Sequence, residues 1–216
     1  IPSRDTNSPS GSVSINSGDS YTDSYYVTLS LSATDDEGVT GYYASTSSST
    51  PSGSDYRWTS ITSTTSYSGS KSYFYLGSSQ GTRTVYVWFK DAAGNVSTRY
   101  SDSITYDSSS PSGSITINNE SNYTRYTTSI SITVSATDSV GVTGYYVSTS
   151  SSSPLASASG WTAVSSTTSY LITGSMSISS NYGNRYVYAW FKDATGNVSS
   201  RNSASMYCSS AGSSCY

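Results

Sequence analysis

The sequence predicts an all-β protein built of two tandem β-sandwich domains of about seven strands each, and three features point there. The chain repeats itself: Asp5-Thr6-Asn7-Ser8-Pro9-Ser10-Gly11-Ser12 returns as Asp107-Ser108-Ser109-Ser110-Pro111-Ser112-Gly113-Ser114, and Trp88-Phe89-Lys90-Asp91 returns as Trp190-Phe191-Lys192-Asp193. Within each repeat the apolar period is two, as in Val27, Leu29, Leu31 and Ala33 or Val85, Val87 and Phe89, which marks strands with one face on a core. The composition is that of a hydroxyl-coated sheet protein, with 59 Ser and 28 Thr among 216 residues. Ile, Val, Leu and Phe together number only 31, but 22 Tyr and 4 Trp supply large, stiff apolar surface. The formal net charge of −3 lacks the self-repulsion of a disordered chain.

The repeat places the domains at residues 1–106 and 107–208, followed by a short tail at 209–216. In the first repeat the elements read in order as A (Ser12–Asn16), B (Val27–Thr34), C (Val39–Ser45), a short strand near Trp58, E (Ser72–Leu76), F (Thr84–Lys90) and G (Ser101–Tyr106). Gly, Pro, Asp, Asn and Ser clusters separate them, and no segment carries a helical period. Serine runs such as Ser47–Ser49 and Ser150–Ser153 read as loops. Seven short strands in about a hundred residues is the count of an immunoglobulin-like sandwich.

Several function classes are excluded. The chain has no His, which removes Ser-His-Asp hydrolysis, His-bound zinc and His-ligated haem. It has no Walker-type or G-x-G-x-x-G motif, so no nucleotide cofactor is expected. With three Lys and a net negative charge, nucleic-acid binding lacks its electrostatic footprint. No apolar run is long enough to span a membrane. Ile1-Pro2-Ser3-Arg4 has no signal-peptide character, and the expectation is a processed form or a fragment. No enzyme activity is expected.

The run Trp88-Phe89-Lys90-Asp91-Ala92-Ala93-Gly94-Asn95-Val96-Ser97, with the upstream Ala33-Thr34-Asp35 and the leading Asp5-x-x-x-Pro9, resembles the tandem bacterial Ig-like (fibronectin-III-like) repeats of large secreted and surface proteins. The resemblance extends over both repeats. It implies a stalk, spacer or adhesive segment at the cell surface or outside the cell, with calcium stiffening the joints in several such families.

Three sets of residues are candidates for function. In an Ig-like sandwich the start of strand A and the B–C and F–G loops share one pole. The pattern then groups Asp107, Asp138, Asp193 and Asn197, at the joint between the domains, and Asp5, Asp35, Asp36, Asp91 and Asn95 in the first repeat. Oxygen ligands converging from separate loops suit Ca²⁺, which takes roughly 6–8 of them. The alternative is turn chemistry, with Asp bonding backbone N–H groups and no metal. The second set follows from strand alternation, which would turn Tyr42, Tyr86 and Trp88 outward as one aromatic patch, repeated as Tyr145, Tyr188 and Trp190. Such a patch would contact protein or sugar; alternatively these rings stabilise cross-strand pairs or lie under a loop. The third set is Cys208 and Cys215, which read as a small disulfide-closed loop of an oxidising, extracellular setting, or as a bridge to a second subunit. Four Asn-x-Ser/Thr sequons occur, at Asn95, Asn119, Asn122 and Asn197, two of them in turns where Asn already has a backbone role.

The favoured function is a non-enzymatic extracellular structural or adhesive module. The alternatives are a self-assembling subunit of a filament or surface layer, and a carbohydrate-binding module using the aromatic patches. The expected partners are other copies of the chain, surface proteins or glycans.

Overall fold

The structure is a computed structural model that describes residues 5–118, 126–179, 181–208 and 215. It divides into two compact units, Ile1–Asp107 and Ser108–Tyr216. In each, nearly all the regular structure among the described residues is strand.

The first unit contains β1 (Ser10–Ile15), β2 (Tyr21–Thr22), β3 (Tyr26–Ser45), β4 (Thr59–Tyr75), β5 (Gly81–Asp91) and β6 (Tyr100–Tyr106), with one turn of 3-10 helix at Asn16–Gly18. Strands B and C of the sequence reading are one continuous strand, β3, and the strand near Trp58 is continuous with E as β4. The reason is visible at Asp35-Asp36-Glu37-Gly38. Those turn-forming residues bend the strand without ending it, and Gly38 takes a φ of 115° that other residues rarely adopt. Between the pairs Thr34↔Ser66 and Val39↔Thr64, β3 spends five steps where β4 spends two. The surplus turns a corner.

That corner makes one hydrogen-bonded network into two layers. Before it, β3 pairs antiparallel with β1 from Ile15↔Leu29 to Ser10↔Thr34; after it, with β5 from Val39↔Asp91 to Ser45↔Tyr86. β4 follows β3 along both halves, and β6 extends the second layer from β5. Side chains of both layers meet in one core: Ile15, Val27, Leu29, Leu31 and Ala33 against Val39, Tyr42, Val85, Val87, Phe89 and Ile104. Burying one such Leu or Val side chain contributes roughly 1.5–3 kcal/mol, so even this short apolar inventory sustains a core when the alternation puts nearly all of it inside.

The second unit repeats the plan with β7 (Ser112–Asn118), β8 (Ser129–Ser148), β9 (Thr162–Ser177), β10 (Gly183–Asp193) and β11 (Asn202–Cys208). β8 pairs with β7 before its bend and with β10 after it, and β9 follows β8. Ile115, Ile130, Ile132, Val134 and Val142 pack with Val187, Phe191 and Met206. Cys208 and Cys215 form a disulfide that is buried in this core. The other tail residues, 209–214 and 216, lie outside the described residues. Among the described residues no helix is long and apolar enough to cross a membrane.

Gly11 shows how closely the layers approach. A Cβ there would lie 2.5 Å from both the Phe89 ring and the Ser32 carbonyl oxygen. Gly11→Val is therefore expected to destabilise the first unit by about 1–3 kcal/mol through overpacking, measured as a lower urea midpoint at unchanged slope.

Candidate functional site

The bend in β3 and the turn after β5 bring three carboxylates together. Asp35 is the first bend residue, Asp91 ends β5, and Asp5 precedes β1. One oxygen from each lies within 4.8 Å of the others. Each is held by its own stretch of chain. Asp35 Oδ1 accepts from the amides of Glu37 (3.2 Å) and Gly38 (2.9 Å). Asp91 Oδ1 accepts from the Gly94 and Asn95 amides (2.7 and 2.9 Å), across a turn in which Gly94 has a φ of 92°. Asp5 Oδ1 accepts from the Asn7 amide at 2.9 Å.

Turn bonding accounts for one oxygen of each carboxylate and leaves the others. Asp91 Oδ2 accepts from Asn95 Nδ2 at 2.7 Å, and the same amide nitrogen donates to the Asp5 carbonyl at 3.2 Å. Asp5 Oδ2 and Asp35 Oδ2 are buried with no hydrogen-bond donor, and Asp35 as a whole is 9% exposed. At an effective dielectric constant of about 20, two charges at this separation repel by about 3.5 kcal/mol. Oxygen donors converging from separate stretches of chain, with the Asp5 carbonyl beside them, are of the kind a hard cation could take. Asn95 Nδ2 ties the Asp91 carboxylate to the Asp5 backbone carbonyl, so its part is to orient Asp91. Asp36 stands outside the trio, where its Oδ2 accepts from Asn7 Nδ2.

The second unit carries the same construction. Asp138 and Asp193 have carboxylate oxygens within 4.8 Å of each other, and both are buried. Asp138 Oδ1 accepts from the amides of Val140 and Gly141, while Asp193 Oδ1 accepts from those of Thr195, Gly196 and Asn197. Asn197 Nδ2 donates to Asp193 Oδ2 at 2.8 Å. Asp107, the counterpart of Asp5, is fully buried. The sequons at Asn95 and Asn197 thus coincide with amides already bound in these turns; Asn119 and Asn122 lie outside the described residues.

The outward aromatic patch expected from Tyr42, Tyr86 and Trp88 does not form. β3 takes two steps from Val39 to Gly41 where β5 takes one from Asp91 to Lys90. The extra residue, Thr40, reverses the facing of everything after it. Tyr42 therefore pairs with Phe89 and turns into the core, stacked on Tyr67 at 6.2 Å. Tyr43 joins Trp88 on the outer face, where Trp58 closes over them as a second small cluster and Trp88 is 0% exposed. Lys90 Nζ lies 4.9 Å over the Trp58 ring and donates to the Gly53 carbonyl, tying the covering loop down. Tyr86 is half-buried at the margin, with the Arg99 guanidinium 5.0 Å above it.

The same correction applies to Tyr145, Tyr188 and Trp190. Tyr145 stacks on Tyr170 at 5.6 Å, and Trp190 is fully buried against Tyr146. Tyr188 is half-buried, with Arg201 5.2 Å over its ring.

No protein-family model matches the chain, and no curated protein sequence matches it. Among solved structures the chain is similar to the fibronectin(III)-like modules of Clostridium thermocellum CbhA, at 13% identity and a TM-score of 0.37, over 91% of this chain and 93% of that one. It is also similar to red sea bream transglutaminase, at 10% identity and a TM-score of 0.30, over 92% of this chain and 31% of that one. At these values neither likeness adds to the strand pairing on which the sandwich assignment rests.

In chelator, Asp35→Asn should stabilise the first unit by about 1–2 kcal/mol, because the amide keeps the bend's acceptor and replaces a repelling oxygen with a donor; thermal unfolding measures it. Trp88→Ala should cost about 3–5 kcal/mol in urea unfolding. Trp88→Phe should cost clearly less, since it also removes an indole N–H that is buried without a partner.

Proposed function

We propose that the chain is a calcium-stabilised structural module of an extracellular or cell-surface protein, of the kind found in tandem bacterial Ig-like repeats, and that it makes and breaks no bond. The observation that carries this reading is the pair of buried carboxylate oxygens of Asp5 and Asp35, held beside Asp91 with no donor to neutralise them. A divalent cation there would replace mutual repulsion with attraction and lock the bend of β3 to the turn after β5. The repetition of the construction at Asp138 and Asp193 supports a scaffold role, because the same device serves each unit. The Cys208–Cys215 disulfide supports an oxidising compartment. In this reading the partners are other copies of the chain, surface proteins or glycans, and the module supplies reach and stiffness.

The test is differential scanning calorimetry of the full chain in chelator and in millimolar Ca²⁺. Binding to the native state alone stabilises by about 2.7 kcal/mol at a hundredfold excess over Kd, so the unfolding midpoint should rise and chelator should reverse it. Mg²⁺ should shift it less, because it parts reluctantly with its water and demands octahedral geometry. Asp35→Asn should abolish the shift of the first unit. An unchanged midpoint in Ca²⁺ sinks the proposal.

A further inference from the structure

Four exposed tyrosines, none of them part of the carboxylate cluster, gather in the first unit. Ring centroids of Tyr25 and Tyr26 lie 4.8 Å apart, those of Tyr26 and Tyr75 5.6 Å, and those of Tyr26 and Tyr73 6.4 Å. All four rings are exposed, Tyr73 to 83%, and buried Tyr106 lies edge-on beneath Tyr25 at 6.1 Å.

The second unit supplies an internal control. Where Tyr26 pairs with Tyr75, the corresponding strands β8 and β9 pair Ser129 with Ser177, and their register runs unbroken from there to Thr137↔Ser169. In the first unit β4 takes three steps from Phe74 to Lys71 while β3 takes two from Val27 to Leu29. The surplus is a bulge at Ser72-Tyr73, and Tyr73 sits at a φ of 54°, a region unfavourable to a bulky aromatic residue. The fold closes without this bulge in the second unit, so folding does not require it. Its effect is to stand the Tyr73 ring upright beside Tyr26. Strain of this kind persists where the surroundings hold it for use.

Both tyrosines line an open depression of about 410 Å³, together with Asn16, Ser24, Val27, Thr28 and Ser72. None of its lining residues is charged. The Ser24 hydroxyl is spent on the Tyr26 backbone, and Asn16 Oδ1 accepts from the Thr28 amide. The Asn16 Nδ2 hydrogens and the Thr28 and Ser72 hydroxyls remain for a ligand.

We propose that this depression binds a neutral carbohydrate. Flat phenol faces match the C–H face of a pyranose ring, and an uncharged amide and hydroxyl rim matches its hydroxyls. An acidic or sulfated glycan would find no cation here. A protein hot spot would call for a desolvated anchor pocket with Arg among the rings, whereas these rings stand half in water around a polar rim.

The experiment titrates the full chain with the hexaoses of glucose, mannose, xylose and N-acetylglucosamine at millimolar concentration, read by saturation-transfer NMR and calorimetry. At least one sugar should receive saturation from tyrosine ring protons. Tyr73→Gly and Tyr26→Ala should each weaken that binding about tenfold or more, equivalent to about 1.4 kcal/mol. Tyr182→Ala, an exposed ring of the second unit, should leave it unchanged. Tyr73→Gly should also keep or raise the unfolding midpoint, because glycine takes a positive φ without strain, which separates lost binding from lost fold. Silence with all four sugars overturns the proposal, as does binding that survives both tyrosine variants. A dimer in light scattering that Tyr73→Gly dissolves overturns it in favour of a second copy as the occupant.

Discussion

The bend in β3 at Asp35–Gly38 is the constraint on which the first unit depends. A twenty-residue strand cannot stay in one sheet of a small sandwich; it must cross from one layer to the other. The crossing is held by two amide hydrogen bonds to Asp35 Oδ1 and by the positive φ of Gly38. Because β4 follows β3 through the corner, a single hairpin contributes to both layers, and β1, β5 and β6 only complete them. β8 repeats the device with Asp138 and Gly141.

The convergence of carboxylates is a by-product of the same bend. An Asp that bonds backbone amides through one oxygen must point the other somewhere, and at a corner it points at the neighbouring turn. There Asp91 is fixed in the same manner by Gly94 and Asn95. Two turn-capping aspartates placed back to back, with Asp5 laid across them, leave more oxygens than donors. The amide of Asn95 relieves part of that excess. A buried excess of negative oxygen is expensive unless a cation or another donor completes it.

One residue decides what the outer face presents. Thr40 is an insertion of a single step in β3 relative to β5, and it exchanges the facing of Tyr42 and Tyr43. The outer rings then become the underside of a loop, with Trp58 and Lys90 as its clasp. The two units share this arrangement, and they differ at the pairing of Tyr26 with Tyr75, which the second unit fills with serines. The carboxylate groups and the Trp clasp recur in both units, whereas the paired tyrosines occur in the first alone.

Legible in the order of residues alone are the duplication, the all-β class, the strands carried by Val85-Val87-Phe89 and Val27-Leu29-Leu31, and the grouping of Asp5, Asp35 and Asp91. These are written in period and spacing, and each side of the pattern depends only on local alternation and on which loops share an end of the sandwich. β4 was hard to read because most of Thr59–Tyr75 is Ser, Thr and Tyr and so shows no apolar face. Strand pairing and loop packing are what put Trp88 inside a second cluster, turn Tyr42 into the core and leave Tyr73 exposed at a bulge. For Trp88 the cause is the covering loop that carries Trp58; for Tyr42 and Tyr73 it is a shift of register. A strand's side chains alternate with period two, so one unpaired residue moves every later side chain to the opposite face, and nothing in the composition around Thr40 or Ser72 announces where that residue falls.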